Sequence, residues 1–396
     1  MKILQLCPRV PFPSYDGGTI AMQVLADGFL TNGQELKVMA LNTSRHFVDK
    51  ERWKQALPVG LDFDTQRVDT DISLYGLLRN LLSSDSYHIT RFYSSSFAEA
   101  VKQELKAKRY DLVILDGLQM AAYLKDIRKS TQAKVVLRAH NVEHLIWQRM
   151  ANAAVGLKSR YLNLLADRLK SFELDVLQKV DALLPITPDD ASCFRTLGCE
   201  KPMHVTPVGV KMDKYRIDEQ AVEHPTLFHF GSMDWLPNEE AVRWFLDRCM
   251  DLLLAQLPTI RFDIAGRNMP AWLKAYHHPN VRIVENVSDP VVYMNSRSIM
   301  LVPLLSGSGM RVKIMEGLAM GKAIVSTTIG AEGINVEHGQ SILLADSPHS
   351  FVQAIVSIVN DPSLYERLRN KGRELAESVY ASERIGLETV NFLASL

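Results

Sequence analysis

The chain has 396 residues, of which 47% are hydrophobic and 23% are charged. A chain of this length usually divides into more than one hydrophobic core, so we expect two domains. Its 45 basic residues equal its 45 acidic residues, and this balance excludes the strongly positive field of a nucleic-acid-binding protein. The four cysteines form no C-x-x-C pair and have no histidine cluster at zinc spacing, which is typical of reduced thiols in a cytoplasmic protein.

Neither secretion nor a membrane span is predicted. The first residues, Met1 to Cys7, are strand-like and lack the longer apolar run and the small-residue cleavage site of a signal peptide. No other apolar run approaches the length of a spanning helix, so we expect a cytoplasmic protein. Peripheral contact with the inner face of the plasma membrane stays open, because an amphipathic helix predicted from Lys158 to Lys179 could lie on an anionic surface or simply cover a sheet.

Short apolar segments alternate with helical patterns along the whole chain. This alternation is typical of an α/β fold, in which helices cover both faces of parallel sheets. The predicted strands of the first series are Lys2–Leu6, Leu36–Leu41, Asp111–Leu115, Lys134–Leu137 and Ala182–Ile186. Those of the second series are Leu227–Phe230, Arg261–Ala265, Val281–Val284, Ile299–Pro303 and Ala323–Ser326. The helical patterns between the first strands include Ile20–Thr31, Phe97–Lys108 and Tyr161–Val180.

The two series predict two doubly wound domains. Proline, glycine and charged residues interrupt the pattern between Pro202 and Pro225, so we expect the break there. We predict an N-terminal domain over 1–207, a C-terminal domain over 208–378 and a final helical segment over 379–396. Ligands in such sheets bind beyond the carboxyl ends of the strands, and two facing domains would enclose a cleft.

The segment 299–327 has the pattern of a strand, a glycine-rich turn, a helix and a strand. The turn is Ser306-Gly-Ser-Gly309, and a helical pattern follows over 310–320. Arg311 and Lys313 occupy the first turn, where free N–H groups already carry partial positive charge and acids are the usual choice. Two cations beside glycines at a helix N-terminus indicate a site for a phosphate or diphosphate, although two solvated side chains on an ordinary helix would give the same pattern.

With these features the chain resembles the family 4 glycosyltransferases of the GT-B fold, the group 1 glycosyl transferase type. The similarity spans nearly the whole chain and is strongest in Phe228–Ala241, Ile264–Arg267, Val281–Pro303 and Gly307–Gly333. The resemblance implies two Rossmann-like domains around a cleft, an acceptor-side N-terminal domain and a nucleotide-sugar-binding C-terminal domain. The same resemblance implies that the final helix, 379–396, packs back on the N-terminal domain. It also implies retaining transfer of a sugar, without a metal ion or other cofactor, from a nucleotide diphosphate donor to a glycan or lipid-linked acceptor in cell-surface polysaccharide synthesis.

The family carries two glutamates, separated by seven residues, around this helix. The second position matches Glu316, which the resemblance assigns to the ribose hydroxyls of the donor. The first position falls on Ser308, which has no carboxylate to bind the donor sugar. Backbone N–H groups from Gly309 through Met310 to Val312 would then contact the donor instead.

Many members also hold the diphosphate with an arginine and a lysine that follow the first strand of the C-terminal domain. Ser232 and Asn238 stand at these positions, so both cations are missing. A diphosphate in a poorly hydrated site needs neutralising charge. Arg311 and Lys313 are therefore predicted to replace the missing pair and to stabilise the leaving group.

Further site residues are expected at other strand ends. They are Gly17, Gly18, Asp116, His140, Ser232, Asn286 and Val287. The adjacent glycines could hold N–H groups against a phosphate or hydroxyl, or form a simple turn. His140 follows a strand ending at Leu137, where neutral imidazole could bond a sugar hydroxyl or the acceptor. The resemblance assigns the loop that begins at Asn286 to the nucleotide base.

Other functions share some of these patterns. Asp62-Phe-Asp64 and Asp69-Thr-Asp71 match the D-x-D of metal-dependent transferases, but about one or two such matches arise by chance, and no metal site is predicted. A nicotinamide site is disfavoured because Val312 stands where the third glycine of the dinucleotide fingerprint belongs. A GT-B nucleotide-sugar epimerase and a non-catalytic GT-B partner subunit remain open.

Overall fold

A computed structural model describes residues 1–71, 80, 85–218, 222–307 and 309–396. The chain forms two compact units. Unit 1 comprises Met1–Val208 together with Glu383–Leu396, and unit 2 comprises Gly209–Ser382. The sequence placed the corresponding boundaries at 207/208 and 378/379.

Unit 1 is built on a parallel sheet of six described strands. They are β1 (Lys2–Cys7), β2 (Glu35–Thr43), β3 (Asp62–Val68), β4 (Leu112–Asp116), β5 (Lys134–Ala139) and β6 (Ala182–Pro185). Their spatial order is β3-β2-β1-β4-β5-β6. The register pairs Ile3 of β1 with Leu36 of β2 on one side and with Leu112 of β4 on the other.

Helices cover both faces of this sheet. Those described before residue 209 are α1 (Gly17–Thr31), α2 (Lys50–Ala56), α3 (Tyr87–Thr90), α4 (Ser95–Ala107), a 3-10 helix (Leu118–Tyr123), α5 (Leu124–Ser130), α6 (Glu143–Ala153), α7 (Gly156–Lys179) and α8 (Pro188–Thr196). Val113 and Leu115 of β4 pack in one apolar cluster, and Leu112 and Ile114 pack in another. Because successive strand residues face opposite sides and both sides are buried, β4 reads as a continuous apolar run.

Unit 2 repeats this architecture with a second parallel sheet. Its described strands are β7 (Glu223–Ser232), β8 (Arg261–Arg267), β9 (Val281–Glu285), β10 (Arg297–Val302), β11 (Ala323–Ser326) and β12 (Leu343–Leu344), in the order β12-β11-β10-β7-β8-β9. Its described helices are α9 (Leu236–Arg248), α10 (Met250–Leu254), α11 (Ala271–Lys274), α12 (Pro290–Asn295), α13 (Val312–Ala319), α14 (Pro348–Asn360) and α15 (Pro362–Val379). The predicted α/β class with two Rossmann-like sheets is confirmed.

The last helix, α16 (Ser382–Ala394), belongs almost entirely to unit 1. It approaches α1 closely where two glycines face each other, since a Cβ added to Gly386 would lie 2.8 Å from the Gly28 Cα. Val390 and Leu393 of α16 join Phe29 of α1 in one apolar cluster. Side chains larger than hydrogen at the two glycines would therefore push these helices apart.

Two strands, β3 and β12, are not predicted by the apolar pattern of the sequence. β3 lies at the sheet edge, and the carboxylates of Asp62 and Asp64 are 3.4 and 2.7 Å from Lys37 Nζ. The charged residues of β3 interrupt its apolar pattern, so the pattern does not predict a strand. The D-x-D motif within it is part of an ion-pair cluster. β12 has two residues, too few to show a period.

The amphipathic helix α7 covers the sheet of unit 1. Leu169, Val176 and Leu177 are at most 1% exposed and belong to the apolar cluster that includes Leu115. Among the helices that the structure describes, none is long and apolar enough to cross a membrane.

The carboxyl ends of β7 and β8 approach so closely that only glycine fits at residue 266. Gly266 has a φ of 150°, and a Cβ there would lie 1.7 Å from the Gly231 carbonyl oxygen. Gly339 also has a positive φ, 79°, but has no atom within 4 Å of a Cβ position. It therefore serves as a control for a positive φ without a close contact.

We expect Gly266→Ala to lower the free energy of unfolding by about 1–3 kcal/mol more than Gly339→Ala, because of overpacking. Denaturant unfolding of both variants measures this difference. Equal losses would show that the positive φ, and not the contact with Gly231, requires glycine at residue 266.

Candidate functional site

In each sheet the order in which strands are added reverses beside the first strand of the unit. In unit 2, β8 and β9 are added on one side of β7, whereas β10, β11 and β12 lie on the other side. The loops that follow β7 and β10 therefore diverge at the carboxyl edge, where open α/β sheets bind ligands. In unit 1 the equivalent position lies between β1 and β4.

The loop after β7 is held by its own side chains. Asn238, 3% exposed in the first turn of α9, donates from Nδ2 to the Ser232 carbonyl oxygen at 2.8 Å. The Ser232 hydroxyl donates to Asp234 Oδ1 at 2.5 Å and accepts from Arg267 Nε at 3.2 Å. Ser232 thus stands in a hydrogen-bonded turn that receives a cation from the end of β8.

The helix α13 begins two residues later than its sequence pattern predicted. It starts at Val312 instead of Met310, because Gly309 has a φ of 78° and Arg311 is extended at φ −89° and ψ 95°. Arg311 is the N-cap residue, and its side chain does not cap the helix. The first-turn N–H groups of such a helix end can bind an anion. Ser308, the position of the missing family glutamate, lies outside the described residues.

Lys313 reaches from α13 to the loop after β7. Its Nζ donates to Asn238 Oδ1 at 2.6 Å. A Cβ on Gly231 would lie 2.9 Å from the same Nζ, so the bare glycine backbone admits the ammonium group. Burial, followed by the charge of Arg311, lowers the pKa of Lys313 to about 7, while Glu316 acts in the opposite direction.

Arg311 also turns toward this loop. It is 5% exposed, and its Cζ lies 5.6 Å from the centroid of the Trp235 ring. Its Nη1 donates to the Gly309 carbonyl oxygen. A Cβ on Gly307 would lie 3.0 Å from Arg311 Nη2 and 3.2 Å from the indole, so a side chain there would crowd both. Burial lowers the pKa of Arg311, although a guanidinium stays charged.

Glu316 lies one turn further along α13 and is held by a tyrosine that no motif had indicated. The Tyr215 hydroxyl donates to Glu316 Oε1 at 2.5 Å, and Tyr215 is 5% exposed. Burial raises the pKa of Glu316, and the hydrogen bond from Tyr215 opposes this effect. The two residues are 101 positions apart in sequence, so no local pattern could link them.

The predicted base-binding residues lie at another part of the same sheet edge. Asn286 follows β9, has a φ of 57°, and donates from its backbone N to the Gly266 carbonyl oxygen at 2.7 Å. Val287 comes next in the loop. Because β9 is separated from β7 by β8, about 10 Å of sheet lies between the ends of β9 and β7.

In unit 1 the structure places Gly17 and Gly18 inside α1, which begins at Gly17 instead of Ile20. Asp16 caps this helix, since its Oδ1 accepts from Thr19 N at 3.0 Å. Arg9 donates to both Asp16 carboxylate oxygens at 2.7 Å, and a Cβ on Gly18 would lie 2.4 Å from Arg9 Nη2. The chain's own carboxylate and guanidinium therefore occupy the helix end that was expected to hold a phosphate or hydroxyl.

A buried carboxylate orients His140. His140 Nε2 lies 2.5 Å from Asp116 Oδ1, with side-chain exposures of 18% and 0%. Gln5 donates to Asp116 Oδ2 at 2.6 Å. Burial acts to raise the pKa of Asp116, but Arg138 and the His140 hydrogen bond outweigh it and leave that pKa lowered. In the neutral imidazole, the ionised Asp116 favours the tautomer with the proton on Nε2, and in that tautomer Nδ1 is a hydrogen-bond acceptor.

Comparison with known proteins finds a matching family model and two related proteins. Residues 224–361 match the family model for glycosyl transferases group 1. A Klebsiella pneumoniae protein, named as an uncharacterized 44.6 kDa protein in the cps region, is 21% identical over 97% of each chain. The capsular polysaccharide biosynthesis glycosyltransferase CapM of Staphylococcus aureus is 24% identical over 45% of this chain and 50% of its own.

Solved structures resemble the whole chain. A sucrose-phosphate synthase from Thermosynechococcus elongatus has a TM-score of 0.72 at 15% identity, covering 100% of this chain and 99% of its own. Anabaena HepE, solved in complex with UDP, has a TM-score of 0.68 at 13% identity and full coverage of both chains. At these identities the likeness establishes the fold. The resemblance predicted from the sequence is thus confirmed: the chain has the GT-B fold, and its residues 224–361 match the family model for glycosyl transferases group 1.

Proposed function

We propose that the protein is a retaining glycosyltransferase that moves a sugar from a nucleotide diphosphate donor to a glycan or lipid-linked acceptor. The proposed class of donor rests on the hydrogen bond from Lys313 to Asn238. This bond brings a cation to the place between β7 and β10 where the strand order of unit 2 reverses. With Arg311 beside it, two positive groups share one helix N-terminus, an arrangement that a bound anion would stabilise.

Each predicted donor-binding residue has a role in this proposal. The backbone of Gly309, Met310 and Val312 bonds the diphosphate, and Arg311 and Lys313 neutralise it. Glu316, which Tyr215 positions, accepts from the ribose hydroxyls. The loop at Asn286 and Val287 contacts the base, and Ser232 with its bound Arg267 lies near the phosphates. The roles of Gly17 and Gly18 are restricted by Asp16 and Arg9 to contacts that do not require the helix N-terminus.

The charge balance of the reaction supports catalysis by these cations. Negative charge grows on the diphosphate as its bond to the sugar breaks, and preorganised cations stabilise that charge without reorganisation. Arg311 and Lys313 supply the stabilising positive charge in this proposal, with no metal ion or cofactor. Attack from the face of the leaving phosphate retains the anomeric configuration. His140, oriented by Asp116, accepts a hydrogen bond from a hydroxyl of the sugar or acceptor.

The biological setting is proposed from the relatives. CapM is named for capsular polysaccharide biosynthesis, and the Klebsiella relative is named for the cps region. Both support synthesis of a cell-surface polysaccharide. A lipid-linked acceptor would bring a cytoplasmic enzyme to the inner face of the plasma membrane as a peripheral protein.

The direct test is donor cleavage by the full chain. HepE has been solved with UDP-glucose, so UDP sugars come first, followed by GDP and ADP sugars. We expect one donor class to release nucleoside diphosphate, with the same rate in excess chelator and with retention at the anomeric carbon by NMR. A donor that binds but releases no nucleoside diphosphate would favour a non-catalytic subunit, and release of an epimerised sugar would favour an epimerase.

The proposed clamp predicts different losses for phosphate and ribose contacts. Arg311→Ala and Lys313→Ala should each weaken nucleoside diphosphate binding by about 1.5–3 kcal/mol, the typical worth of hydrogen bonds to charged groups. Binding of the bare nucleoside should not change. Glu316→Gln should weaken both ligands alike. Calorimetry measures these affinities.

The matched control is Lys371→Ala on α15, since Lys371 is 54% exposed and pairs with Glu374. It should bind both ligands as the wild-type protein does. Equal losses of nucleoside and diphosphate affinity in the Arg311 and Lys313 variants would place the phosphates elsewhere.

The lowered pKa of Lys313 predicts proton uptake on diphosphate binding. At about pH 8 most free protein carries neutral Lys313, given its pKa of about 7, and a dianion beside it raises that pKa. Up to one proton should therefore be taken up per ligand, and affinity should fall as the pH rises above 7. Calorimetry in buffers of different ionisation enthalpy measures the uptake. Its persistence in Lys313→Met would assign the proton to another group.

A further inference from the structure

Unit 1 carries a second polar cluster that the proposed transfer does not use. It consists of His88 on α3, Gln119 on the 3-10 helix, Asn141 before α6, Glu143 at the start of α6 and Glu173 on α7. We call it the Glu143 cluster. The 3-10 helix follows β4 and α6 follows β5, so the cluster lies at the carboxyl edge of the sheet, where α/β sheets bind ligands.

Glu173 forms the fixed part of this cluster. It is 1% exposed and accepts from the backbone N of Glu143 at 3.0 Å. His144, 3% exposed, lies with Nδ1 2.5 Å from Glu173 Oε2. These bonds satisfy the Glu173 carboxylate, and its negative charge stands beside the next carboxyl group, that of Glu143.

Glu143 forms the accessible part. Its side chain is 13% exposed and lies 3.7 Å from His88 Nε2. Burial, followed by the charge of Glu173, raises the pKa of Glu143 to about 7, while hydrogen bonds from Gln119 and Asn141 oppose the rise. The group therefore changes protonation near neutral pH and still reaches solvent.

His88 does not neutralise this carboxyl group. Burial lowers the pKa of His88 to about 4, and the charge of Arg91 acts in the same direction. The imidazole is therefore neutral, with Nε2 3.1 Å from Gln119 Nε2 and with its ring 5.3 Å from the Trp147 ring. A carboxylate, two amides and an aromatic edge thus meet at one partly exposed place.

We propose that the Glu143 cluster binds a neutral sugar, whose hydroxyls donate to the Glu143 carboxylate. Gln119 and Asn141 offer both donors and acceptors to further hydroxyls, and Trp147 offers an apolar surface. An anionic sugar is disfavoured because Glu143 and Glu173 would repel it. That the sugar belongs to the glycan acceptor rests on the proposed function. The binding site itself does not.

The test uses the full chain and saturation-transfer NMR with named probes. These are the methyl glycosides of glucose, galactose, mannose and N-acetylglucosamine, with methyl glucuronide as the anionic counterpart. We expect at least one neutral glycoside to bind and the glucuronide to bind at least tenfold more weakly. Binding should strengthen as the pH rises through 7, because hydroxyls bond a carboxylate more strongly than a carboxylic acid.

Variants separate binding from a purely structural network. Glu143→Leu should abolish glycoside binding, and Glu143→Gln should leave weak binding that no longer depends on pH. The matched control Glu99→Gln, on α4 with a side chain 56% exposed, should bind as the wild-type protein does. Glu143→Gln should also melt higher than wild type at about pH 8 but not at about pH 5, since it removes a carboxyl group whose folded pKa lies above the unfolded value.

Absence of binding by every neutral glycoside would overturn the proposal, as would binding that Glu143→Leu and Glu143→Gln leave unchanged. Nucleoside diphosphate binding, measured on the same samples, separates this result from the proposed function. A protein that binds a diphosphate but no glycoside contradicts only this inference. A protein that binds a glycoside at Glu143 but no diphosphate contradicts the donor assignment instead.

Discussion

Positive charge at the start of α13 is the constraint around which the unit 2 site is arranged. Arg311 and Lys313 add two cations to a helix end that is already positive. Lys313 is accommodated because Gly231 has no side chain and Asn238 supplies an oxygen at 2.6 Å. Arg311 is accommodated against Trp235, across Gly307. Two cationic side chains thereby join the loops after β7 and β10.

Unit 1 has the same sheet topology but different chemistry at its carboxyl edge. Carboxylates dominate there: Asp16 binds Arg9 and caps α1, and Asp116 binds His140. Glu143 and Glu173 form a pair of neighbouring carboxyl groups at the same edge. One architecture therefore offers a cationic edge in unit 2 and a carboxylate-rich edge in unit 1. This contrast is consistent with an anionic ligand for the first and a neutral, hydroxyl-rich ligand for the second.

The strands show which elements can be predicted from local sequence patterns and which cannot. Strands buried on both faces, such as β4 and β10, appear in the sequence as unbroken apolar runs and were located to within a few residues. The edge strand β3 escaped because Asp62 and Asp64 interrupt the run and pair with Lys37. The start of α13 was misplaced for another reason: Gly309 has a positive φ, which side-chain periodicity does not report.

Local sequence patterns are sufficient to predict the α/β class, the two series of strands and the unusual cations of α13, because burial period and charge placement are local properties of the chain. Which groups meet depends on the folded chain. Lys313 meets Asn238, Tyr215 meets Glu316, and Glu143 meets His88 across sequence separations that carry no pattern. The fold also places Asp16 and Arg9 at the end of α1. Such pairings depend on strand order and loop conformation, and so do the desolvation and charge that shift the pKa values of Lys313 and Glu143.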